Sequence, residues 1–327
     1  MPEKIRWGIL GTGVMATDFA EDLLRLPDAE LVAVGSRTEQ AARSFADRFN
    51  IPAAHGSWQD LVADDLDIIH IATPATTHYS AAALCLEAGR AVLCEKPFTI
   101  DAAESRSLLD IARRKQCFLM EGMWMRCNPS VRRIAELVSE GAIGKLRTVH
   151  ADLSVAVPSD PLLRLRNPLL GGGALLDMGV YGISFTHLLL GPPDTVSAWS
   201  CLTPEGVDSH TGMILGYESG AMALLSCSIL AETPASAVVQ GTDGRIELPY
   251  DFTCPPSFTL HRTGRPPEVF RTPWEGHGFL YEAAEAMRCL RASAIESPLV
   301  PWQSTLDVME VMDRARSQIG LRYPTEG

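Results

Sequence analysis

Short apolar runs alternate with longer amphipathic stretches through the first 120 or so residues. Ile5–Leu10, Glu30–Val34, Asp67–Ala72, Ala91–Cys94 and Cys117–Glu121 each read as a strand, Ala91–Cys94 as a buried one. Helical patterns lie between them: through Phe19, Leu23 and Leu24, from Gln40 to Phe49, from about His78 to Ala88 with Gly89 as the stop, and from about Ala102 to Lys115. This alternation predicts a parallel doubly wound sheet. The pattern then changes. Pro129 opens a helix through Val131, Ile134, Leu137 and Val138 that Gly141 ends, and Lys145 to Val157 reads as one long strand. A loop rich in proline and arginine spans Pro158 to Pro168, a candidate lid, and Ala174 to Leu190 is helical. From Thr195 to Arg271, apolar stretches such as Met213-Ile214-Leu215 and Ala237-Val238-Val239 are separated by turns, which favours antiparallel pairing. Helices Phe279 to Ala292 and Thr305 to Ile319 close the chain.

A length of 327 residues suits about two domains. The expected division is 1–122 for an α/β domain and 123–327 for an α+β domain with a mostly antiparallel open sheet, with a seam near Glu121 to Pro129. An antiparallel sheet normally leaves one face free. Several of these strands are apolar on both faces, so that face is expected to join copies into a homodimer or a dimer of dimers. The formal charge of −12 disfavours nucleic acid and anionic membrane as partners. Apolar runs such as Ala81–Leu86 are too short to span a bilayer, and Met1–Arg6 lacks the apolar core of a signal peptide. Eight scattered cysteines, with no C-x-x-C pair, fit a reduced cytoplasmic protein. No histidine pair has metal-ligand helix spacing, so no metal is expected.

The candidate chemistry starts at Gly11-Thr12-Gly13-Val14-Met15-Ala16, a G-x-G-x-x-A run between a strand and a helix. Gly11 permits the tight turn, Gly13 lets backbone approach a pyrophosphate, and Ala16 allows close helix–strand packing. The phosphates belong at the helix N-terminus, where free N–H groups favour anions. The expected fold of the first domain is therefore a Rossmann sheet. An NAD site usually carries an acid at the end of the second strand. Here Gly35-Ser36-Arg37-Thr38 stands instead, and Arg37 suits a 2′-phosphate, so NADP is expected over NAD. Thr73-Pro74 and Glu95-Lys96-Pro97 follow the third and fourth of these strands, at the edge where doubly wound sheets place ligands. His78 either faces the cofactor or lies on the surface at a helix start. Asp177 and Tyr181 stand four apart and share one helix face. Trp124 and Arg126 are candidate substrate-wall residues, with Trp124 equally suited to a core.

The fingerprint, Ala72-Thr73-Pro74, Glu95-Lys96-Pro97 and Gly171-Gly172-Gly173-Ala174-Leu175-Leu176-Asp177-Met178-Gly179, in this order, resemble the glucose–fructose oxidoreductase / inositol dehydrogenase (Gfo/Idh/MocA) family over nearly the whole chain. Phe118–Arg126 and Gly173–Asp177 are similar to its dimeric dihydrodiol dehydrogenase and NADP-dependent D-xylose dehydrogenase branch. Many members carry histidine four residues after the aspartate; Tyr181 stands there, as in that branch and in some ketoreductases acting on nucleotide-linked sugars. The resemblance implies an active-site role for Lys96 and a hydride transfer between NADP and a sugar, sugar derivative or vicinal diol. Tyr181 would accept the proton, with Lys96 lowering its pKa and Asp177 holding a substrate hydroxyl or Lys96. In a variant of the same chemistry Lys96 relays the proton and Tyr181 orients. Two other readings are a dinucleotide- or sugar-sensing regulator without turnover, and a nucleotide-sugar ketoreductase.

Overall fold

The computed structural model describes residues 4–160, 162–273 and 275–324. Residues 1–3 of the Met1–Arg6 stretch and Pro161 of the expected lid lie outside the described residues. By packing, the chain forms two compact units: one of residues up to Thr99 with Ala103–Trp124 and Glu275–Trp302, the other of Ile100–Ala102, Met125 onward and Gln303 onward.

The first unit holds strands β1 (Ile5–Leu10), β2 (Ala29–Gly35), β3 (Ala53–His55), β4 (Ile68–Ile71), β5 (Ala91–Glu95) and β6 (Leu119–Gly122). They pair in parallel in the order β3-β2-β1-β4-β5-β6, so the topological switch lies between β1 and β4. Helices α1 (Val14–Leu23), α2 (Glu39–Phe49), α3 (Trp58–Ala63), α4 (His78–Glu87) and α5 (Ala102–Lys115) connect them. Trp7, Ile9, Leu10, Ile68, Ile69, Val92 and Leu93 are all fully buried, as strands covered on both faces require. β3 and α3 were not foreseen. β3 is a three-residue Ala-Ala-His edge strand with no apolar run, and α3 rests on a local cap, Ser57 Oγ accepting from Asp60 N–H at 3.1 Å.

The chain returns to this unit after residue 274. The buried Asp22 carboxylate on α1 accepts the N–H groups of His277 (2.9 Å) and Phe279 (2.8 Å), at the start of helix α8 (Leu280–Arg291). Leu119 N–H donates to Ile295 O at 3.0 Å, and Trp302 Nε1 donates to Leu119 O at 2.8 Å.

The second unit carries an eight-stranded sheet. Its strands are β7 (Leu146–Ser154), β8 (Thr195–Leu202), β9 (Asp208–Gly216), β10 (Met222–Ser228), β11 (Ala237–Gly241), β12 (Gly244–Leu248), β13 (Ser257–Arg262) and β14 (Glu268–Arg271). The order is β14-β13-β12-β11-β7-β10-β9-β8, antiparallel except for β7–β10. Helices α6 (Pro129–Ser139), α7 (Val180–Leu190) and α9 (Trp302–Ile319) accompany it, with α7 packed on β7 and β10. The stretch read as one helix from Ala174 starts with a π-helical turn, Leu175–Gly179, before α7. Pro168–Leu190 is long and apolar enough to cross a membrane, unlike the shorter runs singled out above; an 18-residue window of it is 72% buried inside the protein, as a core helix is. On the free face of the sheet, Trp199 is 69% exposed and Ile214 47% exposed, while Met213 and Leu215 beside Ile214 point inward and are buried.

Candidate active site

The turn from β1 to α1 builds an open cradle. Gly11 sits at φ +122°, and a Cβ there would lie 2.5 Å from Ala72 O, so only glycine fits. Gly13 caps α1 with no atom within 4 Å of where its Cβ would be, which leaves its surface clear for a phosphate. Ala16 is fully buried against the sheet, Met15 half-buried, and Val14 turned outward at 74% exposure. Thr12 Oγ1 and Ser36 Oγ lie 3.4 Å apart across the tips of β1 and β2. Arg37 is exposed beside them, and Thr38 caps α2 by accepting from Ala41 N–H at 3.3 Å. At the end of β4, Thr73 Oγ1 is a buried hydroxyl with no hydrogen-bond partner. An open glycine cradle and an orphaned hydroxyl at the switch point fit a dinucleotide.

His78 neither lines that crevice nor lies on the surface. Its ring is 1% exposed, with Nδ1 2.8 Å from Pro97 O and Nε2 2.9 Å from Thr73 O. Two carbonyl acceptors favour the doubly protonated ring; burial opposes it and prevails, holding the pKa below its ordinary value. The neutral ring therefore donates to one carbonyl at a time and acts as a strut between the Thr73 and Pro97 loops.

Glu95 and Lys96 are successive residues at the end of β5. Glu95, read as cofactor-binding, is 3% exposed and turned into the interior, its Oε1 3.2 Å from His70 Nε2. His70 stacks on Phe19 with ring centroids 3.7 Å apart. Glu282 from α8 completes the group, and the ligating atoms of His70, Glu95 and Glu282 lie within 4.8 Å of one another. One imidazole and two carboxylates are a possible donor set for a cation, and linear spacing gives no hint of it, because Glu282 is so distant in sequence. Both Glu282 carboxyl oxygens are buried without a hydrogen-bond partner. Burial first, then the charges of Glu95, Glu121 and Asp22, push the Glu282 carboxyl well above its ordinary range, so it is a neutral acid. Trp124, also in this unit, packs on Phe279 with ring centroids 5.3 Å apart.

In the second unit, Asp177 sits in the middle of the π-helical turn and Tyr181 in the first turn of α7. Tyr181 is 7% exposed. Arg164, from the loop expected to be a lid, donates from Nη2 to Asp177 Oδ1 at 2.9 Å. That arginine was not singled out; only the arginine content of its loop signalled it. Arg126, read as a substrate wall, is 5% exposed and donates to Ser184 Oγ (2.9 Å) and to His187 Nδ1 (3.0 Å). His187 in turn donates to Asp307 at 2.8 Å, and burial holds its pKa low. These bonds make Arg126 part of a buried network.

Comparison with known proteins places the chain in a family. The family described as oxidoreductase, NAD-binding Rossmann fold (GFO/IDH/MocA) matches residues 5–123, and its C-terminal domain matches residues 131–247. The chain is 36% identical over 332 residues to trans-1,2-dihydrobenzene-1,2-diol dehydrogenase of Mus musculus, covering 98% of this chain and 99% of that protein. The Homo sapiens protein of the same name is 32% identical with the same coverage. Among solved structures, an aldose-aldose oxidoreductase from Caulobacter crescentus shares the fold, with TM-score 0.88, 23% identity and 97% of each chain covered. A 3-ketoreductase from Actinomadura kijaniata, solved with NADP and TDP-benzene, superimposes with TM-score 0.85 at 25% identity, covering 97% of this chain and 98% of that one. With both halves matched in order and full-length relatives above 30% identity, the chain belongs to the GFO/IDH/MocA family of oxidoreductases.

Proposed function

We propose that this protein is an NADP-dependent dehydrogenase acting on the CH–OH group of a vicinal diol, sugar or sugar derivative. The observation that carries the reading is its full-length similarity to dihydrodiol dehydrogenases together with Lys96 just after β5, Asp177 in the π-helical turn and Tyr181 in the first turn of α7. The bound nicotinamide supplies the hydride acceptor. Gly11, Thr12 and Gly13 hold the phosphates through backbone N–H groups, and Thr73 Oγ1 gains a partner. Ser36 and Arg37 take the 2′-phosphate, with no carboxylate there to repel it; the 3-ketoreductase solved with NADP supports the same preference. Tyr181 accepts the hydroxyl proton as the carbinol is oxidised. A free phenol is a weak base at neutral pH, and the Lys96 ammonium stabilises its phenolate. Asp177 accepts a hydrogen bond from the second hydroxyl of the substrate, displacing Arg164.

The open sheet face, with Trp199, Ile214 and Met222 exposed, supports a homodimer. Eight free thiols, most of them buried, support a reducing compartment such as the cytoplasm.

A screen at 340 nm tests the reading. NADP or NAD is offered with trans-dihydrodiols, aldoses and inositols, beside Lys96→Met. Turnover with NADP that is lost in the variant supports the dehydrogenase. Tight NADP binding without turnover on any of these, or on keto-sugar nucleotides in reverse, would favour a sensor.

A further inference from the structure

Asp208 lies at the start of β9 and is fully buried. Its Oδ2 accepts the N–H of Leu175 at 2.8 Å and the hydroxyl of Thr211 at 2.6 Å. Leu175 is the first residue of the π-helical turn that contains Asp177. The free N–H groups at that helix start are thus met by a carboxylate from a strand 33 residues away, not by a local cap. Gly173 reaches the turn at φ +110°, and a Cβ there would collide with Asp208 Oδ1. Gly172 is fixed on the other side: its N–H donates to Asn167 O at 3.0 Å, and Tyr323 Oη donates to its carbonyl at 2.7 Å.

We infer that Asp208 is a positioning residue for the proton-handling helix: it fixes where the π-helical turn begins and so sets the direction of Asp177 relative to Tyr181. This rests on the functional reading above, in which those two residues meet the substrate. A π-helical turn holds one residue more than the α-helical turn it replaces, and such turns collect at functional sites. Here Val180 N–H closes onto Leu175 O, the residue that Asp208 holds. If the turn relaxed to α-helical spacing, each residue of register shift would swing Asp177 about the axis by about 100° relative to Tyr181. The Asp208 carboxylate pins the first N–H and resists that shift. Gly173 is then needed twice over: for its φ of +110° and for the room that lets the carboxylate approach the chain.

The test compares Asp208→Asn, Asp208→Ala and Gly173→Ala with Tyr181→Phe in the full-length protein, using the substrate found in the 340 nm screen. The inference expects kcat to fall by on the order of 10- to 100-fold in all three, as misplacement by about an ångström does. KM for NADP stays at its wild-type value, because the cradle belongs to the other unit. The rising limb of the pH–rate profile, which follows Tyr181 ionisation, moves to higher pH as Tyr181 loses its orientation. Wild-type kcat in Asp208→Asn, with Tyr181→Phe inactive, would overturn the inference and leave the functional reading standing. So would a kcat loss that only tracks the folded fraction measured by circular dichroism and NADP titration. Full activity in Tyr181→Phe would remove the functional reading itself.

Discussion

Glu282 shows what a single buried residue does to the whole stability curve. In the unfolded chain it ionises in the usual carboxyl range, and in the fold it keeps its proton to well above that range. Between those limits the folded state binds more protons than the unfolded one, so stability falls as pH rises, by at most about 1.4 kcal/mol per pH unit. Glu282→Gln keeps the shape and removes the ionisation. Its Tm should exceed that of the wild type by little at about pH 5 and by more at about pH 8, read by scanning calorimetry; an equal gap at both would contradict a buried neutral acid. Arg37 acts at the opposite extreme of exposure. Removal of one charge-assisted contact to a 2′-phosphate, as in Arg37→Ala, should lower kcat/KM for NADP by on the order of 10- to 100-fold and leave NAD nearly unchanged. A parallel loss with both cofactors would show that Arg37 does not read the phosphate. Lys96, Asp177 and Tyr181 stood out in sequence because each sits in a short recognisable motif. His78 and Arg126 stood out as well, and the structure uses both for internal bonding. A polar side chain in an apolar stretch looks the same in sequence whether it meets a ligand or a buried carbonyl. Asp208 carried no signal, and Arg164 only that of its arginine-rich loop, because their partners, Leu175 and Asp177, lie in other elements.

At the scale of elements, the strongest determinant is the β1–α1 turn. Gly11→Ala would drive a methyl group into Ala72 O and force an unfavourable φ, so NADP affinity measured by calorimetry should be lost while the second unit's helices and sheet persist by circular dichroism. Unchanged affinity would mean that the cradle is not where the phosphates bind. Strands β1, β2, β4, β5 and β6 were legible because a strand buried on both faces needs an unbroken apolar run. β3 was not, since an edge strand of three residues has no such run. The π-helical turn was also hidden: Leu175–Gly179 has the same apolar periodicity as the α-helix after it, and the extra residue is selected by a carboxylate from β9. The parallel pair β7–β10 was missed because strand order is a long-range property.

For the whole molecule, the open sheet face makes an oligomer the expected state. Trp199 stands 69% exposed on β8, and β9 and β10 add Ile214 and Met222. A charge in the middle of such a patch opposes its burial, so Trp199→Glu should sediment as a monomer, whereas the wild type is proposed to sediment as a dimer or larger. A wild-type monomer would leave that face without its proposed partner. The division of the chain belongs to this scale too. The sequence reads as two blocks that meet near residue 122, whereas the packing returns Glu275–Trp302 to the first unit through Asp22, Ile295 and Trp302. Those ties are hydrogen bonds between residues far apart in sequence, and no local pattern announces them.

The central claim is that Tyr181 carries the proton of an NADP-linked alcohol oxidation with Lys96 stabilising its phenolate. The pH dependence of kcat for NADP reduction, compared in wild type, Tyr181→Phe and Lys96→Met, tests it most directly. The account predicts a wild-type rate that rises through one ionisation below the ordinary phenol range, and a loss on the order of 100- to 10,000-fold with no such limb in Tyr181→Phe. In Lys96→Met the residual activity should show the limb displaced to higher pH. Retention of both rate and limb in Tyr181→Phe, with both lost in Lys96→Met, would contradict it and make Lys96 the proton carrier.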